Sequence, residues 1–326
     1  MTYRITAASG IAALAVAGLA AVTACSSSSS ASSSAPVSTS PSAAASSSGA
    51  NPLSGGGSSG SVVVGSANFP ENEVLAEIYA LALQKAGVKV STKLNIGSRE
   101  VYYPQVQKGA ITIIPEYNGT LLSVEVDKTS TAKSTTDVDA ALAAKLPSTL
   151  TVLNSAPAQD SDSMTVTQAT ATKYKLKSIA DLKPYASQWT LGAPPEFKTR
   201  TDGIAGLKAN YGLTFKAFDP LDESGPITLA ALTSGKVQVA DVFTTTPQIV
   251  SDKLVSLTDP KFNFAAQNVI PLAYKPAVTP TISSTLNAVD AKLTTSALLQ
   301  LDIKVSVDKQ DYTTAAQNWL QSVGLG

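Results

Sequence analysis

The sequence predicts an α/β protein built as two lobes, each a sheet flanked by helices. From Val62 onward, short β-branched runs alternate with stretches of helical periodicity. The same alternation returns between Trp189 and Phe243. Strand–helix alternation of this kind forms mainly parallel sheets covered by helices on both faces. A third observation places the start of the folded body. Residues 26–61 are almost entirely Ser, Ala, Gly and Pro, too poor in apolar side chains to offset the entropy of ordering them.

In chain order, Val62-Val63-Val64-Gly65-Ser66 is a short apolar run that reads as a buried strand. Residues 68–73 open a helix, with Pro70 suited to its first turn and Glu71 and Glu73 complementing its dipole. Val74, Leu75, Ile78, Leu81, Ala82 and Lys85 continue it at helical spacing, and Gly87 stops it. Residues 88–94 alternate as a second strand, 99–108 read as a helix, and 110–114 as a third strand. Pro115 is then expected to start another helix, with Glu116 in its first turn. In the second half, residues 189–192, 213–217 and 237–243 read as strands, and 199–211 and 226–234 as helices. Helices over residues 294–303 and 312–323 close the chain. Periodicity alone allows two sequential domains.

The chain begins with a different kind of segment. Arg4 is followed by an apolar run over residues 11–22, and Val22-Thr23-Ala24-Cys25 sets small residues before the only cysteine. A cationic start, a short apolar run and small residues describe a secretory signal peptide over residues 1–24. The run is shorter than the ~20 residues a spanning helix needs. Val-Thr-Ala-Cys resembles a bacterial lipobox, which implies acylation of Cys25. Residues 25–61 would then be a lipidated, disordered tether. It would hold the body on the outer face of a membrane, since more than one buried lipid chain gives stable anchoring.

Composition removes several function classes. Basic and acidic residues balance at 24 each, so no field favours nucleic acid. There is no histidine and one cysteine, which excludes Ser-His-Asp and Cys-His nucleophile systems and His-ligated zinc. No motif calls for a metal or cofactor. The expectation is a binding protein, not an enzyme.

Several stretches, in order along the body, carry a resemblance. They are Gly65-Ser66-Ala67-Asn68-Phe69-Pro70-Glu71-Asn72, Ile96-Gly97-Ser98-Arg99-Glu100-Val101 and Ile113-Ile114-Pro115-Glu116-Tyr117-Asn118-Gly119-Thr120. Residues 232–243, leading into Thr244-Thr245-Thr246, and residues 254–261 continue the series, with Pro194-Pro195-Glu196-Phe197 between. Together they resemble the substrate-binding proteins of ABC importers for quaternary amines (glycine betaine, choline, carnitine and related osmoprotectants). The resemblance implies a two-lobed periplasmic-binding-protein-like fold of type II with a hinge. Residues 62–162 and 271–326 would form lobe 1, and residues 163–270 lobe 2. It also implies a small-molecule solute, an ABC permease and ATPase as partners, no nucleic acid, and work as a monomer.

The candidate ligand residues sit where strands hand over to helices, places that converge on one crevice in doubly wound sheets. Helix N-termini there present free N–H groups. Aromatic faces hold a quaternary ammonium by cation–π attraction. Tyr117 is the first candidate ring, followed by Phe69, Tyr102 and Phe243; Asn72, Ser98, Thr120 and Thr245 are candidate hydrogen-bonding groups. Phe69 reads equally well as a hydrophobic staple. Tyr102 and Tyr103 are neighbours on one helix, so at least one belongs to ordinary packing. Arg99 reads as a salt-bridging loop anchor, and Gly97 and Gly119 as turn residues. Four positions depart from the family pattern, one of them Asn72, which stands in place of a glutamine. Thr112 replaces an acid, Ile114 a tyrosine, and Thr246 another acid. Losing a ring and a charge leaves two alternatives open: a neutral or aromatic solute, or a membrane-tethered sensor.

Overall fold

The computed structural model describes residues 61–326. The expected signal peptide, the expected acylation site at Cys25 and the expected tether as far as residue 60 lie outside the described residues. The chain runs β1 (Val62–Gly65), α1 (Pro70–Lys85), β2 (Val90–Lys93), α2 (Arg99–Gln107), β3 (Ile113–Tyr117), α3 (Asn118–Thr120), α4 (Thr135–Lys145) and β4 (Leu150–Val152). It continues with β5 (Met164–Thr167), α5 (Gln168–Tyr174), β6 (Thr190–Ala193), α6 (Ile204–Tyr211), β7 (Ala217–Pro220), α7 (Pro226–Thr233), β8 (Val239–Asp241), α8 (Gln248–Ser251) and β9 (Leu254–Ser256). It ends with β10 (Val269–Tyr274), α9 (Pro280–Asp290), α10 (Thr295–Asp302) and α11 (Tyr312–Ser322).

Two five-stranded sheets result, in the orders β2-β1-β3-β10-β4 and β7-β6-β8-β5-β9. In each, the pairs built by strand–helix–strand units are parallel, and the strands arriving from the other sheet are antiparallel. The fold is therefore mixed α/β, with helices over both faces. In the first sheet, Val74, Leu75, Ile78, Tyr79 and Leu83 of α1 are buried between the sheet and the C-terminal helices α9–α11. Its other face is covered by Tyr102, Tyr103, Leu121, Val138 and Leu142. A second core around Val166, Trp189, Leu191, Leu207 and Leu257 holds the second sheet. The chain passes between the sheets twice, side by side. Gln159 bridges Asn268 in antiparallel sense, and the Asp160 N–H donates to the Gln267 carbonyl at 3.1 Å.

Sequence periodicity misplaced three elements. Pro115 does not start a helix; it sits in the middle of β3, directly opposite Pro271 of β10. A central strand tolerates proline only where its missing N–H is not needed. That condition is met here because the pair does not exchange hydrogen bonds. The Pro115 carbonyl accepts from Asn72 Nδ2 at 3.0 Å, and the Pro271 carbonyl from the Leu153 N–H at 3.1 Å. The helix expected over residues 199–211 begins only at Ile204. The chain first makes a tight turn over Pro195–Lys198 and then packs Gly203 against it. A Cβ on Gly203 would lie 1.9 Å from the Phe197 carbonyl oxygen. The expected strand over residues 213–217 is displaced to Ala217–Pro220, with Leu213 buried as a loop residue after the left-handed Gly212.

Candidate functional site

A cavity opens between the two sheets, walled by the turns that follow their strands. Phe69 precedes α1 with an extended backbone (φ −138°, ψ 151°). Tyr117 ends β3, and Phe243 follows β8. Their rings meet: Phe69 lies 6.0 Å from Tyr117 and 5.4 Å from Phe243, the latter edge to face. Ser98, Tyr102, Thr120 and Gln267 complete the wall on the first-sheet side. The cavity volume is about 50 Å3, small beside the ~300–1,000 Å3 typical of small-molecule sites.

Charge is distributed unevenly around this cavity. Arg99 and Arg200 line it, with the carboxyl groups of Asp160, Asp162, Glu223 and Asp241. Both arginines already carry a carboxylate partner. Arg99 Nε contacts both Glu116 oxygens at 3.0 and 3.1 Å, and its Nη2 donates to Oε2 at 2.8 Å. Glu116 is fully buried and also accepts from Tyr102 Oη at 2.7 Å and the Tyr117 N–H at 3.0 Å. Arg200 forks onto Glu100 at 3.0 and 3.2 Å. The remaining acids crowd one another. Burial pushes Asp241 well above the usual carboxylate range, and the charge of Asp162 adds to it. Burial and the charge of Asp202 raise Asp162. Burial and the neighbouring Glu196 push Glu223 up to about 8. Asp160 is raised by burial and by Glu71, although its Oδ1 accepts from the Thr245 N–H at 3.0 Å.

A second, larger cavity of about 300 Å3 lies across the Phe69 and Phe243 rings, bounded by Glu71, Leu229, Thr245, Asp302, Val305 and Tyr312. Tyr117 Oη donates to Glu71, and Thr245 Oγ1 donates to the other Glu71 oxygen at 2.7 Å. Burial, then repulsion from Asp302, holds Glu71 well above its usual range; burial lifts Asp302 to about 8.

The structure brings Phe69, Ser98, Tyr102, Tyr117, Thr120 and Phe243 to the first cavity. It does not bring Asn72 or Thr245 there. Asn72 is buried behind it, bridging the Ala67 N–H (2.8 Å) and the Pro115 carbonyl. Thr245 is turned to Glu71. Of the adjacent tyrosines, Tyr102 faces the cavity and Tyr103 packs in the core. Glu116, expected at a helix dipole, is the buried partner of Arg99, which makes Arg99 an anchor as well as a wall. Sequence reasoning missed Asp160, Asp162, Arg200, Glu223, Asp241 and Gln267 as lining residues. The run Asp160-Ser161-Asp162 at the crossing between sheets was the one signal available, since acids at a hinge face whatever lies between the lobes.

No group of three or more acids, cysteines or histidines among the described residues is arranged to hold a metal. No helix among them is long and apolar enough to cross a membrane.

Comparison with known proteins agrees with this architecture. The family described as the substrate binding domain of ABC-type glycine betaine transport systems matches residues 60–322. The chain is 28% identical to the glycine betaine-binding protein YehZ of Escherichia coli K12, over 81% of this chain and 90% of that protein. It is 24% identical to the carnitine transport binding protein OpuCC of Listeria monocytogenes, over 83% and 89%. Among solved structures, a glycine betaine/carnitine/choline ABC transporter protein superposes with a TM-score of 0.64 at 22% identity, over 81% of this chain and 99% of that one. Lactococcal OpuAC, closed on glycine betaine, superposes with a TM-score of 0.56 at 15% identity, over 80% and 95%.

Proposed function

The chain belongs to the family of substrate-binding domains of ABC-type glycine betaine transport systems, and from that premise we propose that it captures a quaternary-ammonium solute in the cavity between its two sheets. Members of this family bind solutes for an ABC importer and do not transform them, which implies a permease and ATPase as partners. The observation that carries the reading is the convergence of the Phe69, Tyr117 and Phe243 rings beside acid groups that lack a cation of their own. Each ring is worth about 0.5–2 kcal/mol to a desolvated cation. The acids compensate for the charge that Thr112 and Thr246 lack, and Phe69 with Phe243 for the ring that Ile114 lacks.

Capture follows hinge closure, with the solute favouring the closed form by its differential affinity. Cross-contacts between the sheets support this: Arg200 with Glu100, Ser123 Oγ with Asp202 at 3.0 Å, and Thr245 with Glu71. Acylation of Cys25 and a flexible leash over residues 25–61 would keep the loaded protein beside its permease.

Isothermal titration with trimethylammonium solutes tests the proposal. Saturable one-to-one binding is expected, weakened at least ten-fold by Tyr117→Ala. A chain that binds proline or sugars but no quaternary amine would sink it.

A further inference from the structure

Charge that balances over the whole sequence, 24 basic against 24 acidic residues, does not balance locally. Between residues 164 and 190 the chain carries Lys173, Lys175, Lys177 and Lys183 against Asp181 alone. Asp181 is taken up by the backbone, its Oδ2 accepting from the Lys177 and Ser178 N–H groups at 2.9 and 2.8 Å. These lysines are exposed, as is Lys216. None of the five enters an ion pair among the described residues.

The fold gathers them round three rings. Tyr174, at the end of α5, lies 4.7 Å from Tyr185 and 5.1 Å from Trp189, and Tyr185 stacks on Trp189 at 5.3 Å. Both tyrosines are half-buried. Lys173 Nζ stands 5.0 Å over the Tyr174 ring, and the Lys216 N–H donates to the Trp189 carbonyl at 2.9 Å. Lys183 is two residues before Tyr185. Trp189 leads into β6, whose other end reaches Pro194 at the cavity wall, and Lys216 leads into β7, parallel to β6. The face therefore sits at the end of the second sheet remote from the cavity.

Lysines without counter-ions round tyrosine and tryptophan rings suit an anionic bilayer. Its headgroups attract the ammonium groups, and Tyr and Trp set an apolar body and a polar tip at a membrane–water boundary. A protein of this family works beside a membrane importer. We propose that this face rests on anionic phospholipid headgroups, holding the receptor at the membrane with its cavity turned to the solution.

Vesicle binding by the purified full chain tests this. Vesicles of phosphatidylcholine alone are compared with vesicles containing about one-third phosphatidylglycerol, both carrying nitroxide-labelled headgroups. Any anchor near the N-terminus acts equally on the two. Trp319→Phe leaves Trp189 as the only tryptophan, so its fluorescence reports contact by this face. The anionic vesicles are expected to bind at least ten-fold more chain and to be the only ones that quench Trp189. Salt at about 0.5 M should abolish both effects, as should Lys173→Glu, Lys175→Glu, Lys183→Glu and Lys216→Glu combined. That variant's melting curve and its solute affinity should match those of the unsubstituted chain, since the four lysines lie outside the cavity. Equal binding to both vesicles overturns the proposal, and so does anionic binding that leaves Trp189 unquenched. Retention by soluble polyphosphate without any vesicle preference assigns the face to an anionic polymer and overturns it too. If Trp319→Phe does not fold, vesicle sedimentation of the unsubstituted chain against the four-lysine variant still decides the matter.

Discussion

Glu116 accepts from both nitrogens of the Arg99 fork, from Tyr102 and from a backbone N–H, and is wholly out of water. A charge pair buried so completely contributes little net stability relative to an apolar pair, but removing one partner leaves an uncompensated charge. Arg99→Ala is expected to cost about 3–5 kcal/mol, read as a lowered urea midpoint with the slope unchanged. The three rings act differently. Each of Phe69→Ala and Phe243→Ala should reduce affinity for a trimethylammonium solute by about 0.5–2 kcal/mol, roughly two- to thirty-fold, measured by calorimetry. At this scale the sequence singled out Phe69, Tyr117 and Phe243 by their places where strands hand over to the next segment, although Phe69 read equally well as a hydrophobic staple, and the structure brings the three rings to one cavity. The sequence was not legible for Asp241 or Glu223. Their meaning depends on which arginines already have partners, and Glu100 and Arg200 are brought together only by the fold.

Elements set where those side chains point. Alternating strands and helices announced both sheets, and the α1 and α2 boundaries follow from Pro70, Gly87 and the acids of the first turns. The strand through Pro115 was hidden because proline reads as a helix opener when nothing shows its partner. Only pairing with Pro271, 156 positions on by subtraction of their numbers, makes it acceptable in a sheet. That extension of β3 carries Tyr117 to the cavity instead of placing it on a helix. Gly119 is required just beyond. It is not a left-handed turn residue; a Cβ there would meet the Ala266 carbonyl oxygen at 2.3 Å. Gly119→Ala must push apart α3 and the returning crossing segment, at a cost of about 1–3 kcal/mol as overpacking. Chemical denaturation checks the stability loss, and the displaced Gln267 predicts weaker ligand binding in the same variant.

For the whole molecule, unpaired acids make stability and binding depend on pH in opposite ways. Glu223 and Asp302 both titrate at about 8 in the folded chain, raised first by burial. The native state therefore holds more protons than the unfolded state between the usual carboxylate range and pH 8, and stability falls as pH rises through that window. The melting temperature of the ligand-free chain is expected to drop from pH 5 to pH 8. A cationic solute prefers the deprotonated carboxylates, so its affinity should rise over pH 6 to 8, with protons released on binding. Titrations in buffers of different ionisation enthalpy measure that release. A binding enthalpy independent of buffer would contradict it. The interlobe pair Arg200–Glu100 gives a further handle. Glu100→Gln should shift the closed form toward the open one, seen as a larger radius of gyration by X-ray scattering.

The central claim is positional: the ammonium of the solute sits among Phe69, Tyr117 and Phe243, between the two sheets. A crystal structure with choline tests it most directly. The account predicts the nitrogen within about 6 Å of the ring centroids. Choline lodged instead in the larger cavity beside Leu229, Val305 and Tyr312, with the three rings facing only each other, would contradict it.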